Sequence, residues 1–391
     1  MRLQSLEGWR GLTAFLVILF HLYVAHFFFF AEWLRYLAPV LEFFFLTSGF
    51  VMALGFSDKV KNTRQFGAYM IRRVGRVWPL HLAMLGLLLL IPLSRLVLGT
   101  PGDLFSGKLS LEALPYQLFM LQTWRPEFAL TWNHPAWTLT GEFFAYVLMA
   151  LIVWFAPKER MRWVLALITI GVSLWFYWGA MQRSDSYNVT SVSRAVFAFF
   201  IGFLLYHVWR RFPLRDARVA QVLEIVSAAG FLAILFWHPS GAAYFLCHAV
   251  YVLMIYVYAS DLGFCSKVMS TKPLLWLGKY SFSIYMFHGV VTTWLMLIVH
   301  AIEARSGMTL TASVPAPGAA SVHLIDLPEA WMNNALLAGY IVFVLVGSWV
   351  VFHVVEQPSR QYFSRLGSQF ARGGAEAPRP VRQAQEHVPA E

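Results

Sequence analysis

Ten long, almost wholly apolar stretches constrain the fold of this chain more than any other feature. A helix needs about 20 mostly apolar residues to cross the ~30 Å hydrocarbon core of a bilayer. With 59% apolar and only 13% charged residues, the chain is too apolar for an ordinary soluble domain. The sequence therefore predicts an all-α, polytopic membrane bundle of about ten transmembrane helices. Their approximate ranges are 11–30, 38–57, 77–98, 142–157, 163–180, 194–209, 219–237, 243–260, 275–299 and 331–355.

The basic residues predict how this bundle is oriented, because positively charged loops remain in the cytoplasm. When the N-terminus is placed inside, basic clusters fall in every second connection, near residues 57–76, 157–162, 210–218 and 266–272. Both termini are then cytoplasmic. The net charge of +10 is thus a topology signal, and we expect no nucleic-acid partner.

Outside the helices, the sequence predicts one membrane domain, 1–365, and a disordered cytoplasmic tail, 366–391. In the first long outer connection, the apolar stretch 111–123 is too short to span, which favours an interfacial or re-entrant piece. The second, 300–330, is predicted to be a loop. The two cysteines have no paired spacing, so we expect neither a disulfide framework nor a metal site.

Two polar residues, Arg10 and His21, interrupt the first apolar helix. Ionisable groups within a spanning helix are costly and indicate function by default. Eleven residues make about three helical turns, so both side chains should project from one side, about 16 Å apart. Arg10 is then expected at the inner mouth and His21 near mid-membrane. The alternative is a hydrogen-bonded packing histidine and an arginine that sets the topology.

A second polar stripe occurs in the ninth predicted helix, where Ser281, Tyr285 and His288 share one face. This face should point into the bundle. A neutral imidazole at His288 can serve as a general base or orient a hydroxyl. It can equally form a hydrogen bond with Tyr285 that holds helices together.

Charged residues at two other helix starts complete the candidate site. Arg72, Arg73 and Arg76 begin the third helix on adjoining faces, where guanidinium groups can bind the phosphates of an anionic cofactor. Positive charge here is also what a cytoplasmic loop requires. Glu142 begins the fourth helix on the outer side. It can satisfy the helix dipole, bind a hydroxylated acceptor or orient a histidine.

Taken together, these segments resemble the acyltransferase-3 family of integral membrane O-acyltransferases. The similarity follows the chain in order, although Glu7 stands where the family usually has Asp and Thr138 where it usually has Ser. Any one motif is weak, whereas six in order are specific. The matching segments are 6–12 with His21, 44–50, 72–79, 135–142, 277–288 and 356–358.

The resemblance implies transfer of an acyl group, most often acetyl, from cytoplasmic acyl-CoA to a hydroxyl of an extracytoplasmic or lipid-linked glycan. It implies a multi-pass protein of a cell membrane, in bacteria the inner membrane, in contact with lipid and with no metal. Because the chain ends soon after the tenth predicted helix, we expect no appended hydrolase-like domain. One protein then completes the transfer, or a partner such as a polysaccharide-biosynthesis protein helps.

The predicted division of labour places the CoA phosphates on Arg72, Arg73 and Arg76. His21 activates the acceptor hydroxyl or forms a covalent acyl-histidine, and Arg10 holds the donor or stabilises developing charge. His288 and Glu142 position the acceptor. The rival interpretation is a transporter or flippase for a glycan-type substrate, in which the same groups line a transport path.

Overall fold

The computed structural model of the chain describes residues 3–27, 34, 37–56, 60, 62–97, 103–156, 159–181, 191–316 and 319–373. In order, its helices are α1 (Gln4–Phe20), α2 (Val40–Phe56), α3 (Thr63–Val97), α4 (Leu114–Leu118), α5 (Trp137–Phe155), α6 (Glu159–Met181), α7 (Ser191–Arg211), α8 (Ala217–Trp237), α9 (Phe245–Tyr258), α10 (Phe264–Met269), α11 (Lys272–Ser306), α12 (Ala330–Val351) and α13 (Gln357–Arg372). A five-residue π-helical turn, Phe352–Glu356, joins the last two. Two strands, β1 (Thr311–Ala316) and β2 (Ala319–Ile325), form an antiparallel hairpin.

The helices are long and apolar enough to make this a multi-pass membrane protein. Within the described part of the chain, eight helical segments meet the length and hydropathy needed to cross a bilayer, and Val40–Gly55 is a shorter apolar helix. The predicted polytopic helical bundle is therefore confirmed. Parts of two predicted basic connections, 57–59 and 157–158, and the segment 374–391 of the predicted tail lie outside the described residues.

The first helix differs from the prediction of a span over 11–30. It begins at Gln4 and ends at Phe20, so His21 closes the helix and does not lie within it. Val24 then forms an isolated parallel bridge with Ile325, and Ala25 N–H donates to the carbonyl of Ile325 at 2.8 Å. An apolar run alone cannot distinguish helix from strand, and here a neighbouring strand satisfies the backbone.

The second long connection also differs from prediction, because β1 and β2 occupy the region expected to be a loop. The strands were not predicted because Ala, Pro, Ser and Gly, which are typical of loops, are frequent among the small and β-branched residues that alternate along this segment. In the first long connection, α4 has five residues and is too short to span, and its placement at the membrane interface stays a prediction. At the C-terminal end, α13 continues to Arg372, past the predicted domain boundary at residue 365.

Close packing of α1 against α11 fixes the site-bearing helices. The carboxylate of Asp261 accepts hydrogen bonds from the backbone of Gln4 at 3.2 Å and Ser5 at 3.0 Å, which caps the start of α1. At the crossing, a Cβ on Gly11 would lie 2.4 Å from the backbone nitrogen of Gly278. Small residues let two membrane helices approach this closely.

A glycine also allows close approach where α2 crosses α7, and this contact gives a stability prediction. A Cβ on Gly49 would lie 1.8 Å from the carbonyl oxygen of Phe199. We expect Gly49→Val to force the helices apart and to cost about 1–3 kcal/mol or more, as overpacking does. Thermal unfolding in detergent, followed by size-exclusion chromatography, should show an earlier transition. Gly171→Ala is the control, because nothing lies within 4 Å of its added Cβ, and an equal loss there would contradict the explanation.

Candidate active site

A strongly basic cavity opens where α1, α3, α11 and α13 meet. Its volume is about 870 Å³, within the range of sites for large ligands. Two acidic side chains, Glu7 and Glu356, also face it. The basic side chains that line it are Arg10, Arg72, Arg73, Arg76, Lys279, Arg360 and Arg365. Seven cations against two carboxylates make the cavity a site for a polyanion.

The three arginines predicted from the sequence all line this cavity. They do not begin the helix as predicted, because α3 already begins at Thr63 and places them in its third and fourth turns. Arg72 donates a hydrogen bond to Ser368 of α13 at 3.2 Å. The guanidinium of Arg73 lies over the Tyr69 and Tyr146 rings, at 5.7 and 5.8 Å from their centroids. These contacts hold the long side chains in place, so less conformational entropy is lost on binding an anion.

Arg360, Arg365 and Lys279 belong to the same cavity, and sequence reasoning missed them. Arg360 donates to the Glu356 carboxylate at 3.2 Å, and Ser283 donates to the other oxygen at 2.6 Å. Glu356 thus fixes Arg360 against α11. The i, i+4 spacing of Glu356 and Arg360 was a usable signal. It was overlooked because these residues follow the last predicted span.

Beyond the basic cavity lies a small chamber of about 80 Å³ that shares Arg10, Arg73 and Arg76 with it. Arg10 donates to Ser281 at 3.4 Å, which ties α1 to α11. Glu142 faces the same chamber and accepts hydrogen bonds from Ser48, at 2.7 Å, and from Tyr146. The structure therefore groups Glu142 with the arginines, and the described contacts do not join it to a histidine.

His21 and His288 meet at the other end of this polar region. His288 Nε2 lies 3.2 Å from His21 Nδ1. His288 Nδ1 lies 3.2 Å from the carbonyl of Ile284, and His21 Nδ1 lies 3.0 Å from that of Val17. Because a carbonyl only accepts, we assign the proton of each neutral ring to Nδ1. His21 Nδ1–H then also donates to His288 Nε2, and His21 Nε2 keeps its lone pair.

A comparison with known protein families covers most of the chain. The sequence model of the acyltransferase-3 family, described as an acyltransferase domain, matches residues 3–353. The chain belongs to the acyltransferase-3 family. The predicted resemblance is thereby confirmed.

Two curated relatives of this acyltransferase-3 chain are distant. The O-acetyltransferase OatA of Staphylococcus aureus is 23% identical over 321 residues, which cover 73% of this chain and 50% of that protein. The chain thus spans about half the length of that relative. The putative membrane-bound transacylase BcsY of Komagataeibacter xylinus is 24% identical over 379 residues, which cover 93% of this chain and 84% of that protein. No solved structure matches.

Tyr285 connects the two parts of the site in this family member. Its side chain lines the small chamber, and its ring centroid lies 5.7 Å from that of His288. Its hydroxyl donates to the carbonyl of Pro135 at 2.8 Å and lies 2.9 Å from the Thr138 hydroxyl. Ser281, Tyr285 and His288 are all buried, so their shared face points into the bundle.

A third imidazole, His134, stands beside the histidine pair, and sequence reasoning did not single it out. It begins a 3₁₀ turn, His134–Ala136, that leads into α5. Its ring centroid lies 4.8 Å from that of His21 and 6.0 Å from that of His288. A separation of more than 110 residues along the chain gives no spacing signal, so only the folded structure brings these rings together.

Proposed function

We propose that this chain is a membrane O-acyltransferase that moves an acyl group, most often acetyl, from cytoplasmic acyl-CoA to a hydroxyl of an extracytoplasmic or lipid-linked glycan. The observation that carries the proposal is the continuity of the site. The basic cavity and the small chamber share Arg10 in their walls, and Tyr285, in the wall of the chamber, lies against His288 of the histidine pair. A donor with a phosphorylated end and a reactive end matches this arrangement.

The charge and the volume of the basic cavity support CoA as the donor. CoA carries several phosphate charges on a long, narrow molecule, and guanidinium groups bind phosphate through paired, charge-assisted hydrogen bonds. Arg72, Arg73 and Arg76 supply such groups on one wall, and Arg360 supplies one on the other. The narrow chamber then limits what can pass between Arg10 and Tyr285. We assign this end of the bundle to the cytoplasm, in line with the positive-inside rule.

In this mechanism the base is His21 Nε2, whose lone pair is left available by the hydrogen bonds of Nδ1. His21 takes the proton of the acceptor hydroxyl as the new oxygen–acyl bond forms and the sulfur–acyl bond breaks. It then returns the proton to the departing sulfur, so His21 ends neutral. His288 fixes the ring orientation and stabilises the positive charge that His21 carries in between. Arg10 holds the donor near the chamber.

The acceptor is assigned by class only. The relative OatA is named an O-acetyltransferase, which supports acetyl as the acyl group and oxygen as the accepting atom. A glycan offers such hydroxyls on the outer side of the membrane, where the outer connections of the bundle are expected. We place the chain in the bacterial inner membrane, with both termini in the cytoplasm.

The proposal is tested with the chain reconstituted in lipid vesicles and supplied with labelled acetyl-CoA and a panel of surface glycans. We expect labelled acetyl to appear on one glycan, with free CoA released in equal amount. Mass spectrometry should show a gain of one acetyl group. Accumulation of unmodified glycan inside vesicles without consumption of acetyl-CoA would instead support the transporter interpretation.

A further inference from the structure

We propose that His21, His134 and His288 form a binding site for a divalent transition-metal ion of the zinc class, and that occupancy of this site inhibits acyl transfer. The first half rests only on the geometry of the three imidazoles. The second half rests on the proposed function, in which His21 is the base. The cysteine spacing and the family resemblance predicted no metal, and neither takes His134 into account.

The ligand atoms are close to the spacing that a metal requires. One ring nitrogen from each histidine lies within 4.8 Å of the others. Zinc binds imidazole nitrogen at 2.0–2.1 Å, so two nitrogens in a tetrahedral site are about 3.3 Å apart. The His21–His288 pair already has a nitrogen separation of 3.2 Å. His134 therefore has to move by at most about 1.5 Å to match this ideal spacing, which a side-chain rotation can supply.

Two of the rings also carry a nitrogen that is suited to coordination. His288 Nδ1 donates to the Ile284 carbonyl, so its Nε2 carries the lone pair. In the metal-free protein this lone pair accepts the hydrogen bond of His21 Nδ1–H, and a metal would take the place of that proton. Metal-binding histidines usually donate their second nitrogen in this way. Among the described residues, His134 Nε2 is buried and has no hydrogen-bond partner. A metal would satisfy this atom, whose burial without a partner otherwise costs free energy.

The ligand set matches zinc and its neighbours. Three neutral imidazoles and one open position are a common arrangement for catalytic zinc. Imidazole suits zinc, cobalt, nickel and copper, whereas magnesium and calcium prefer oxygen. His21 and His134 are only partly buried, so an ion need not cross a closed protein core to reach them.

Inhibition follows from the tautomer of His21. In the metal-free protein, Nδ1 carries the proton and Nε2 is the base. A metal on Nδ1 moves the proton to Nε2, and the ring stays neutral with no net release of a proton. His21 then has no lone pair for the acceptor hydroxyl. Its hydrogen bond to the Val17 carbonyl is lost as well.

The experiment uses the full chain, purified in detergent without a polyhistidine tag and stripped of metal by a chelator. Co²⁺ serves as the spectroscopic probe and Zn²⁺ as its competitor. We expect the wild type to bind one Co²⁺ tightly, with visible absorption bands of a tetrahedral nitrogen site that Zn²⁺ abolishes. His134→Gln should weaken binding by about 100-fold or more, because it removes one of three ligands. His300→Gln, at an exposed histidine on α11, should change nothing.

A second variant and an activity measurement separate the outcomes. His134→Ala should behave like His134→Gln, and both should elute from gel filtration as the wild type does. Added Zn²⁺ should inhibit acetyl transfer by the wild type and leave His134→Gln much less affected. Equal Co²⁺ binding by wild type and His134→Gln, or activity that rises with Zn²⁺, would overturn the inference. Metal-free protein that binds Co²⁺ but acetylates no glycan would overturn the proposed function instead.

Discussion

His21→Ala is expected to lower kcat for acyl transfer by about 10²–10⁴-fold, the usual contribution of a general base. The variant removes the only imidazole nitrogen whose lone pair the hydrogen bonds of the pair leave available. The affinity for acetyl-CoA should change little, because His21 does not line the basic cavity. Initial rates with labelled acetyl-CoA in reconstituted vesicles give kcat. Binding of an acetyl-CoA analogue that cannot transfer its acyl group gives Kd.

His300→Ala is the matched control for this variant, since it removes an exposed histidine from α11 without touching the pair. It should retain wild-type kcat. A His21→Ala protein that is folded and keeps full activity would exclude His21 as the base. A variant with normal kcat but weakened donor binding would place His21 in the binding site instead.

The role of His288 can be separated from that of His21 by combining variants. If His288 only orients and stabilises His21, His288→Ala should lower kcat less than His21→Ala does. The double variant should then be about as active as His21→Ala alone, because groups that act as one unit are not additive. Losses that multiply would show that His288 acts on a different part of the reaction.

Helical periodicity was sufficient to predict which helix faces turn inward. Ser281, Tyr285 and His288 lie on one face because of their spacing along the helix, and this face is buried. The spacing depends only on helix geometry and not on contacts with other helices. Membrane spans were found for a similar reason, since bilayer thickness sets their length. The end of α1 at Phe20 was not found, because the strand pairing that ends it comes from residues about 300 positions away.

Pairing between distant buried residues was the other limit of sequence reasoning. Glu42 and Arg194 are fully buried and form an ion pair between α2 and α7, and His248 Nε2 lies 3.3 Å from Glu42. A charged residue within a span indicates a partner, but the sequence does not say which one. The sequence likewise does not indicate that His134 lies beside His21 and His288. A site built from contacts between residues that are distant in the sequence can therefore be recognised only in the folded structure.

Arg76→Ala is expected to weaken binding of acetyl-CoA by roughly 10–150-fold, the equivalent of about 1.5–3 kcal/mol for a hydrogen bond to a charged group. Arg76 lines both the basic cavity and the small chamber, so the proposed donor would lie against it. Arg76→Lys should lose less, because it keeps the charge but not the planar pair of donors. Kd measured by calorimetry at fixed ionic strength separates this effect from changes in kcat.

Arg215→Ala supplies the control for a change in net charge, because Arg215 is exposed on the connection before α8 and lies outside the basic cavity. It should leave Kd unchanged. If Arg76→Ala and Arg215→Ala weakened binding equally, donor binding would depend on the net charge of the protein and not on contacts within the basic cavity. A fall in kcat with unchanged Kd would move Arg76 from donor binding to the acyl-transfer step. The expected result, a rise in Kd for Arg76→Ala alone, is the one that requires the phosphates to lie against α3.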